Sequence, residues 1–480
     1  MARRGRGGRA MSLAAPWSRG RTLERSPRAA AGSERAVALI PVAQFVYFIF
    51  LMLIFIGQQP FSSRNQEQLV AMAANNDGSD PFKQAFFIGF ALVLTLIELS
   101  RRYELKYRFT YWPLLLMLVW FLISCSWGVD PFVSFKRVMQ QVIVIYITFL
   151  SLALLGPERL YRTLVAALVL SLLICWISLP LTPNAVHPPT ESDKALIGAW
   201  RGFFFHKNIA GAVMALTFVV TAHAFFTTRK WYYALFSVMA FIFVVGTKSK
   251  TSLALCFAIL AVSSVYRFLS QSVARRAVLL LLVGVGMLMF LALYIAFQPL
   301  IERLFADPTS FTGRVSIWQV AIDYLADHPY LGAGFGGFWQ VGENSPAHAY
   351  LNQQFQMLTA HSHNGYLEIL VTTGPVGLVL LLVSFVVLPA WWFLTGATKE
   401  NVTLLATSFA IWSFVIYQNL LETSFFDKDR QVWVIFLAAI AIAHASYKTA
   451  ERTDWNRSTG QVRRGSGWSR LANARTGAAQ

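Results

Sequence analysis

Two histidines stand two residues apart in the stretch AHSHNGYLEILVTTGPVG: His361 and His363, with Asn364 directly after. A neutral imidazole can take a proton from a hydroxyl, and nearby cations favour that neutral form. A metal centre would want a third His, Asp or Glu at ligand spacing, which an HxH pair alone does not supply. The sequence offers cations for company. Arg201 opens WRGFFFHKN, in which Lys207 and Asn208 lead into an apolar run, and Lys248 and Lys250 open another in GTKSKTSL. Cations beside helix N-termini suit a phosphate, because free backbone N–H groups and the helix dipole add to the side-chain charge. In GRVSIWQVAIDYLAD, Ile317, Val320, Ala321, Tyr324 and Leu325 recur at helical spacing. The spacing predicts an amphipathic helix over 313–327 with Arg314 in its first turn. The dipole disfavours a cation there unless an anion compensates, so Arg314 reads as a substrate contact or as half of a salt bridge. Together these residue types suit deprotonating a hydroxyl beside a bound phosphate.

The elements that must position them are transmembrane. Of 480 residues, 56% are hydrophobic and 13% charged, where a soluble chain carries about 25% charge. Spanning a bilayer takes about 20 apolar residues. Twelve runs approach that length, near 38–57, 85–100, 109–127, 139–156, 163–181, 208–227, 231–246, 251–269, 277–299, 374–396, 402–421 and 431–447. The expected fold is all-α, a polytopic membrane protein with about 12 transmembrane helices. The short connections RRYELKYR, PERLYR and TRK are basic, which puts them and both termini on the cytoplasmic side. The predicted organisation is an Arg-rich cytoplasmic tail over 1–36, nine spans within 37–299, and a large outer loop over 300–373. Three further spans over 374–447 and a basic tail over 448–480 complete it. The tails hold +12 of the +18 net charge. Inside-facing charge of this kind meets anionic lipid head groups and does not call for nucleic acid. The Arg-rich start runs too far before the first apolar segment for a signal peptide.

Other patterns are read as structure. The turn GAGFGGF satisfies G-x-G-x-x-G through Gly332, Gly334 and Gly337, but no strand precedes it, so tight backbone turning replaces a dinucleotide reading. Asp427-Lys428-Asp429 mimics a D-x-D and reads as a solvated loop. His223 and His444 lie near the ends of apolar runs and read as packing residues, and Cys125, Cys175 and Cys256 as buried thiols. Carboxylates are scarce within the spans, only Glu98 falling inside a run, and this weakens a transporter or flippase reading, which needs ion ligands at mid-membrane.

Taken together, the chain resembles the O-antigen ligase and polymerase superfamily of bacterial membrane glycosyltransferases. Its ligase pattern is His, then Asn, Ser or Gln, nine residues, Gly, two residues, and Gly, Thr or Tyr. His363–Asn364, Gly374 and Gly377 fit every fixed position. TGRVSIWQVAIDYLADHPYLGAGFGGFW, SWGVDPFVSFKRV, RGFFFHKN and TKSKTSL are similar to its other recurring stretches, and details of HKN, SKT and GFGGFW look closest to the exopolysaccharide polymerase branch. The resemblance implies transfer of an undecaprenyl-diphosphate-linked glycan to a hydroxyl, with inversion and without metal or cofactor. The acceptor is another glycan repeat for a polymerase and lipid A core for a ligase. It implies an inner-membrane location, contacts with membrane lipids and with other polysaccharide-assembly proteins, and no nucleic acid. It also makes His363 the general base, Arg201 the diphosphate-binding arginine and Arg314 the arginine of the loop helix. Lys250 stands where many members have arginine, and lysine cannot offer arginine's bidentate fork.

Overall fold

The protein is described by a computed structural model covering residues 27–57, 60–61, 81–101, 111–191, 194–270, 272, 275, 278, 310–339, 341, 344–351, 361–427 and 431–458. Among these residues there are helices, turns and one isolated bridge between Val186 and Trp200, with no strand. The helices are α1 (Pro27–Ile56), α2 (Pro81–Arg101), α3 (Trp112–Ser124), α4 (Pro131–Leu155), α5 (Pro157–Leu181), α6 (Lys207–Thr228), α7 (Trp231–Gly246) and α8 (Lys250–Leu269). After them come α9 (Ser310–Asp327), α10 (Gly365–Leu381), α11 (Leu388–Thr395), α12 (Val402–Gln418) and α13 (Gln431–Ser458). Eleven of the twelve predicted runs fall on these helices, and the run at 277–299, Val278 apart, lies outside the described residues. Eight helical segments are long and apolar enough to cross a membrane, and Trp112–Trp127, Trp231–Gly246 and Val402–Gln418 are shorter apolar helices. The chain is thus an all-helical, multi-pass membrane protein.

Helix α13 is the hub. Its residues 432–446 are buried on every side, against α1, α4, α5, α6, α11 and α12. A helix apolar all round must be central. Its small residues Ala438, Ala439, Ala441 and Ala443 let neighbouring backbones approach closely. The outside of the bundle is equally apolar: Phe82, Leu96, Trp112, Leu181 and Trp231 are exposed, as a lipid-facing surface requires. His223 donates or accepts a 2.9 Å hydrogen bond with Ser263, and His444 packs against the rings of Tyr111 and Trp392, so both are packing histidines. The three cysteines are free and buried.

The tenth helix differs from expectation. The Gly374–Pro375 pair suggests a helix start near 374, yet α10 begins at Gly365, nine residues earlier. Gly374 takes φ 69° and ψ −175°, non-helical backbone at which two helical segments meet in a kink, so the expected start is that of the second segment. The kink has a physical cause. A Cβ at Gly374 would meet the Tyr330 carbonyl oxygen at 2.2 Å, and one at Gly332 would meet that of Val371 at 2.6 Å. The glycine-rich turn and the helix therefore touch backbone to backbone, sealed by Ala333 N–H donating to Val371 O at 3.0 Å. Turning, as expected, is the role of those glycines. Beyond the kink a π-helical stretch, Leu382–Val387, joins α10 to α11. The hydroxyl of Tyr111 and the indole of Trp412 donate to its carbonyls at Ser384 and Phe385, which matters where no water can satisfy them.

The predicted outer connections do meet at one end of the bundle. Trp200 N–H donates to Gly246 O, Lys248 Nζ to Ile197 O, Gln141 Nε2 to Phe426 O and Phe335 N–H to Ser124 Oγ. Helix α9 lies there too, burying Val320, Ala321 and Tyr324 against Phe338, Trp339 and Val371. It begins at Ser310, so Arg314 sits in its second turn and not its first.

Candidate active site

An open cleft lies at this end, lined by Phe205, His206, Asn208, His361, His363 and Glu422 among others. Three helix N-termini open on it: those of α6 (Asn208, Ile209), α10 (preceded by His361 and His363) and α13 (Val432). Each brings a positive dipole end toward the same space.

His363 is placed by its neighbours in sequence. Asn364 caps α10, its Oδ1 accepting from Tyr366 N and Leu367 N at 3.0 Å each. His363 N–H donates to His361 Nδ1 at 3.2 Å, and the two rings lie 4.2 Å apart. His363 itself adopts φ +49°, left-handed backbone that a residue with a Cβ avoids. Such conformations cost about 1–3 kcal/mol and persist where the surroundings enforce them. Gly365 N–H donates to the carbonyls of Asn419 and Glu422, at 2.8 and 3.2 Å. A Cβ at Gly365 would stand 2.1 Å from Asn419 Oδ1. Glycine there allows the loop after α12 to press against the start of α10.

That loop delivers Glu422. Asn419 Oδ1 accepts from Ser424 N and Phe425 N, folding the loop into a compact turn. One oxygen of Glu422 accepts from Arg314 at 2.5 Å and from Asn208 Nδ2 at 2.9 Å. The other stands 3.3 Å from His363 Nδ1. Side-chain exposure is 14% for both Glu422 and Arg314 and 27% for His363, so the imidazole is the open member. Burial alone raises the Glu422 carboxyl pKa; the His363 hydrogen bond and the charges of His363, Arg314 and His206 outweigh it and hold the group below the usual carboxylate value. A carboxylate at Nδ1 assigns the proton to that nitrogen and leaves Nε2 as the acceptor.

The sequence expectations are met unevenly. His361 and His363 line the cleft, and Asn364 is adjacent as the α10 cap. Arg314 arrives as half of a salt bridge, with Glu422 as the anion that its helix requires. Arg201 does not line the cleft. It is 4% exposed and donates through Nε to Asn184 O and through NH1 to Phe205 O, bracing the wall from behind. Lys207 opens α6 with its ammonium on Ala195 O at 2.5 Å, and Lys250 is an exposed residue opening α8. Neither lines the cleft. Close to His363 a carboxylate, Glu422, therefore joins the expected cation Arg314. Trp339, a candidate sugar platform by type, is buried. Glu422, Asn208 and His206 were not picked out as site residues. Their one legible signal is Glu422 itself, an acid in the short connection LETSFFDKDR among outward cations.

Fold and site define a polytopic membrane protein with a polar, helix-N-terminus-lined cleft at one end of its bundle. Residues 235–382 match O-antigen ligase, a range that holds Lys250, Arg314, His361 and His363. It is 23% identical over 303 residues to the exopolysaccharide production protein ExoQ of Rhizobium meliloti (strain 1021), covering 61% of this chain and 67% of that protein. Two putative polysaccharide ligases also match. That of Rickettsia felis is 23% identical over 271 residues, and that of Rickettsia prowazekii 22% over 276. Each alignment covers 56% of this chain and 65% of the relative, so the similarity spans about two thirds of these proteins' length.

Proposed function

We propose that the protein is a membrane glycosyltransferase that polymerises undecaprenyl-diphosphate-linked glycan repeats at the outer face of the bacterial inner membrane. The observation that carries this reading is the His363–Glu422 pair, open to a cleft onto which three helix N-termini point. His363 Nε2 takes the proton of the acceptor hydroxyl while its Nδ1–H stays on Glu422. The freed oxygen attacks the anomeric carbon from the face opposite the diphosphate, and the C1–O bond to the carrier breaks with inversion. The electron pair leaves on the lipid diphosphate, a leaving group that needs no general acid. Helix N-termini stabilise its charge, while Arg201 braces the cleft wall through Phe205 O. Arg314 and Asn208 hold Glu422 in place. The step needs neither metal nor cofactor. Both termini then lie in the cytoplasm, with twelve spans, and the basic tails meet anionic lipids or other polysaccharide-assembly proteins.

A ligase that transfers the glycan to lipid A core uses the same site chemistry, and two of the relatives are named as ligases. Deleting the gene and resolving the lipid-linked glycans separates the two. Single repeats accumulating on the carrier mean a lost polymerase, and long chains stranded on it mean a lost ligase. An unchanged lipid-linked pool sinks both.

A further inference from the structure

We propose that Glu368, a second carboxylate that does not touch the imidazole, is a positioning residue that sets His363 through the backbone of Ser362. The inference rests on the reading of His363 as the base. Glu368 lies in the first turn of α10, its own N–H donating to Asn364 O at 2.9 Å, so its carboxylate is carried by a rigid element. From there one oxygen, Oε2, reaches back over the helix start and collects three donors. Ser362 N–H donates at 2.9 Å, Ser362 Oγ at 2.6 Å and Trp339 Nε1 at 2.9 Å. From the other side, Trp318 Nε1 on α9 donates to Ser362 O at 3.0 Å. Every polar atom of Ser362 is thereby held, and the residue is fully buried.

The residue after this clamp is His363, in left-handed backbone. A histidine does not hold that conformation unaided, and here the preceding peptide has no freedom to relax it. The two carboxylates divide the work. Glu422 fixes the ring's proton and Glu368 fixes the direction from which the ring projects. An acid beside the buried Trp339 is costly unless its oxygens are used, and three donors converge on one. An amide oxygen at this position carries no negative charge and holds the same donors more weakly, so Glu368→Gln loosens the clamp.

The test measures transfer by the purified full-length protein in nanodiscs, with lipid-linked repeats extracted from the deletion strain as substrate. Glu368→Gln should lower kcat at least tenfold with KM within twofold of the parent, and Ser362→Ala should lower it less. Trp339→Phe, which removes a donor without touching the turn, should have the smallest effect. The rate at which diethyl pyrocarbonate modifies His363, read by mass spectrometry, should change in Glu368→Gln and not in Trp339→Phe. Parental kcat in Glu368→Gln overturns the proposal. So does a rise in KM alone. If Glu368→Gln does not fold, Ser362→Ala decides, and parental kcat in that variant is again a refutation. His363→Ala is the control for the underlying reading: activity in it removes the base assignment, whereas its inactivity beside a fully active Glu368→Gln removes only the role of Glu368.

Discussion

Two histidine–glutamate pairs sit at the same end of this molecule, and they are built differently. His187 and Glu191 are four residues apart on one loop, 2.7 Å from each other, with side chains 3% and 8% exposed. His363 and Glu422 are 59 residues apart, come from the start of α10 and the loop after α12, and leave the imidazole open. The local pair closes on itself. The Nε2 of His187 is buried with no hydrogen-bond partner among the described residues, and its ring packs edge-on against His206 at 5.7 Å. In the distant pair the carboxylate is shared with Arg314 and Asn208, and the imidazole's second nitrogen is left to meet a ligand. The same two residue types therefore serve as a clasp in one place and as a candidate proton acceptor in the other. Access and shared partners, rather than the pairing, make the difference.

The contrast can be broken at several points. His363→Ala should lower transfer about 10²–10⁴-fold, the usual worth of a positioned base, in a protein that still inserts and folds; near-normal product in cells carrying only that variant would falsify the assignment. Glu422→Gln should cost roughly 10²-fold or more in kcat through the wrong imidazole tautomer, with little change in substrate binding. Removing Arg314 as Arg314→Ala leaves a buried carboxylate short of its cation, at about 3–5 kcal/mol, seen as a lower midpoint of thermal unfolding in detergent. His187→Gln should cost less, about 1.5–3 kcal/mol for a hydrogen bond to a charged group, and should leave kcat near the parent value. A large kcat loss there would erase the distinction between the two pairs.

Acid separates them further. Burial lowers the His187 pKa from its ordinary 6.5, against the opposing pull of the Glu191 hydrogen bond. Glu422 is held below its ordinary 4.5. Both groups bind protons more readily in the unfolded chain, so each makes stability fall as pH falls. The windows differ. The His187 contribution is intact above 6.5 and erodes below it, while that of Glu422 is intact above 4.5 and erodes below that. Thermal unfolding scanned from pH 8 to 4 should show the first slope, removed in His187→Gln, and the second only at the acid end, removed in Glu422→Gln.

Much of this was legible in the sequence because local rules govern it. Apolar runs of span length must become helices in a bilayer, and eleven of them did. The His–Asn motif is local as well: Asn364 caps the helix that begins one residue later, and His363 lies one residue before the cap. What could not be read is what depends on chain segments meeting. Glu422 is an ordinary loop acid until Asn419 folds that loop against Gly365. Arg201 looks like a surface cation, and only the path of the 184–205 loop shows it turned inward onto two carbonyls. The break at Gly374–Pro375 follows local rules; the helical segment that precedes it from Gly365, and the contact with the Tyr330–Gly332 backbone that joins the two in a kink, do not.

The kink at Gly374 also sets a measure. Ten residues separate it from Asn364, about 15 Å of helix at about 1.5 Å per residue, with the glycine-rich turn docked at one end and His363 at the other. The intervening turns act as a ruler whose length and phase are both fixed. Inserting one residue between them would swing His363 by about 100° around the helix axis while leaving every side chain of the motif present. The composition of the segment would survive such a change, but the base would be aimed at the wrong wall.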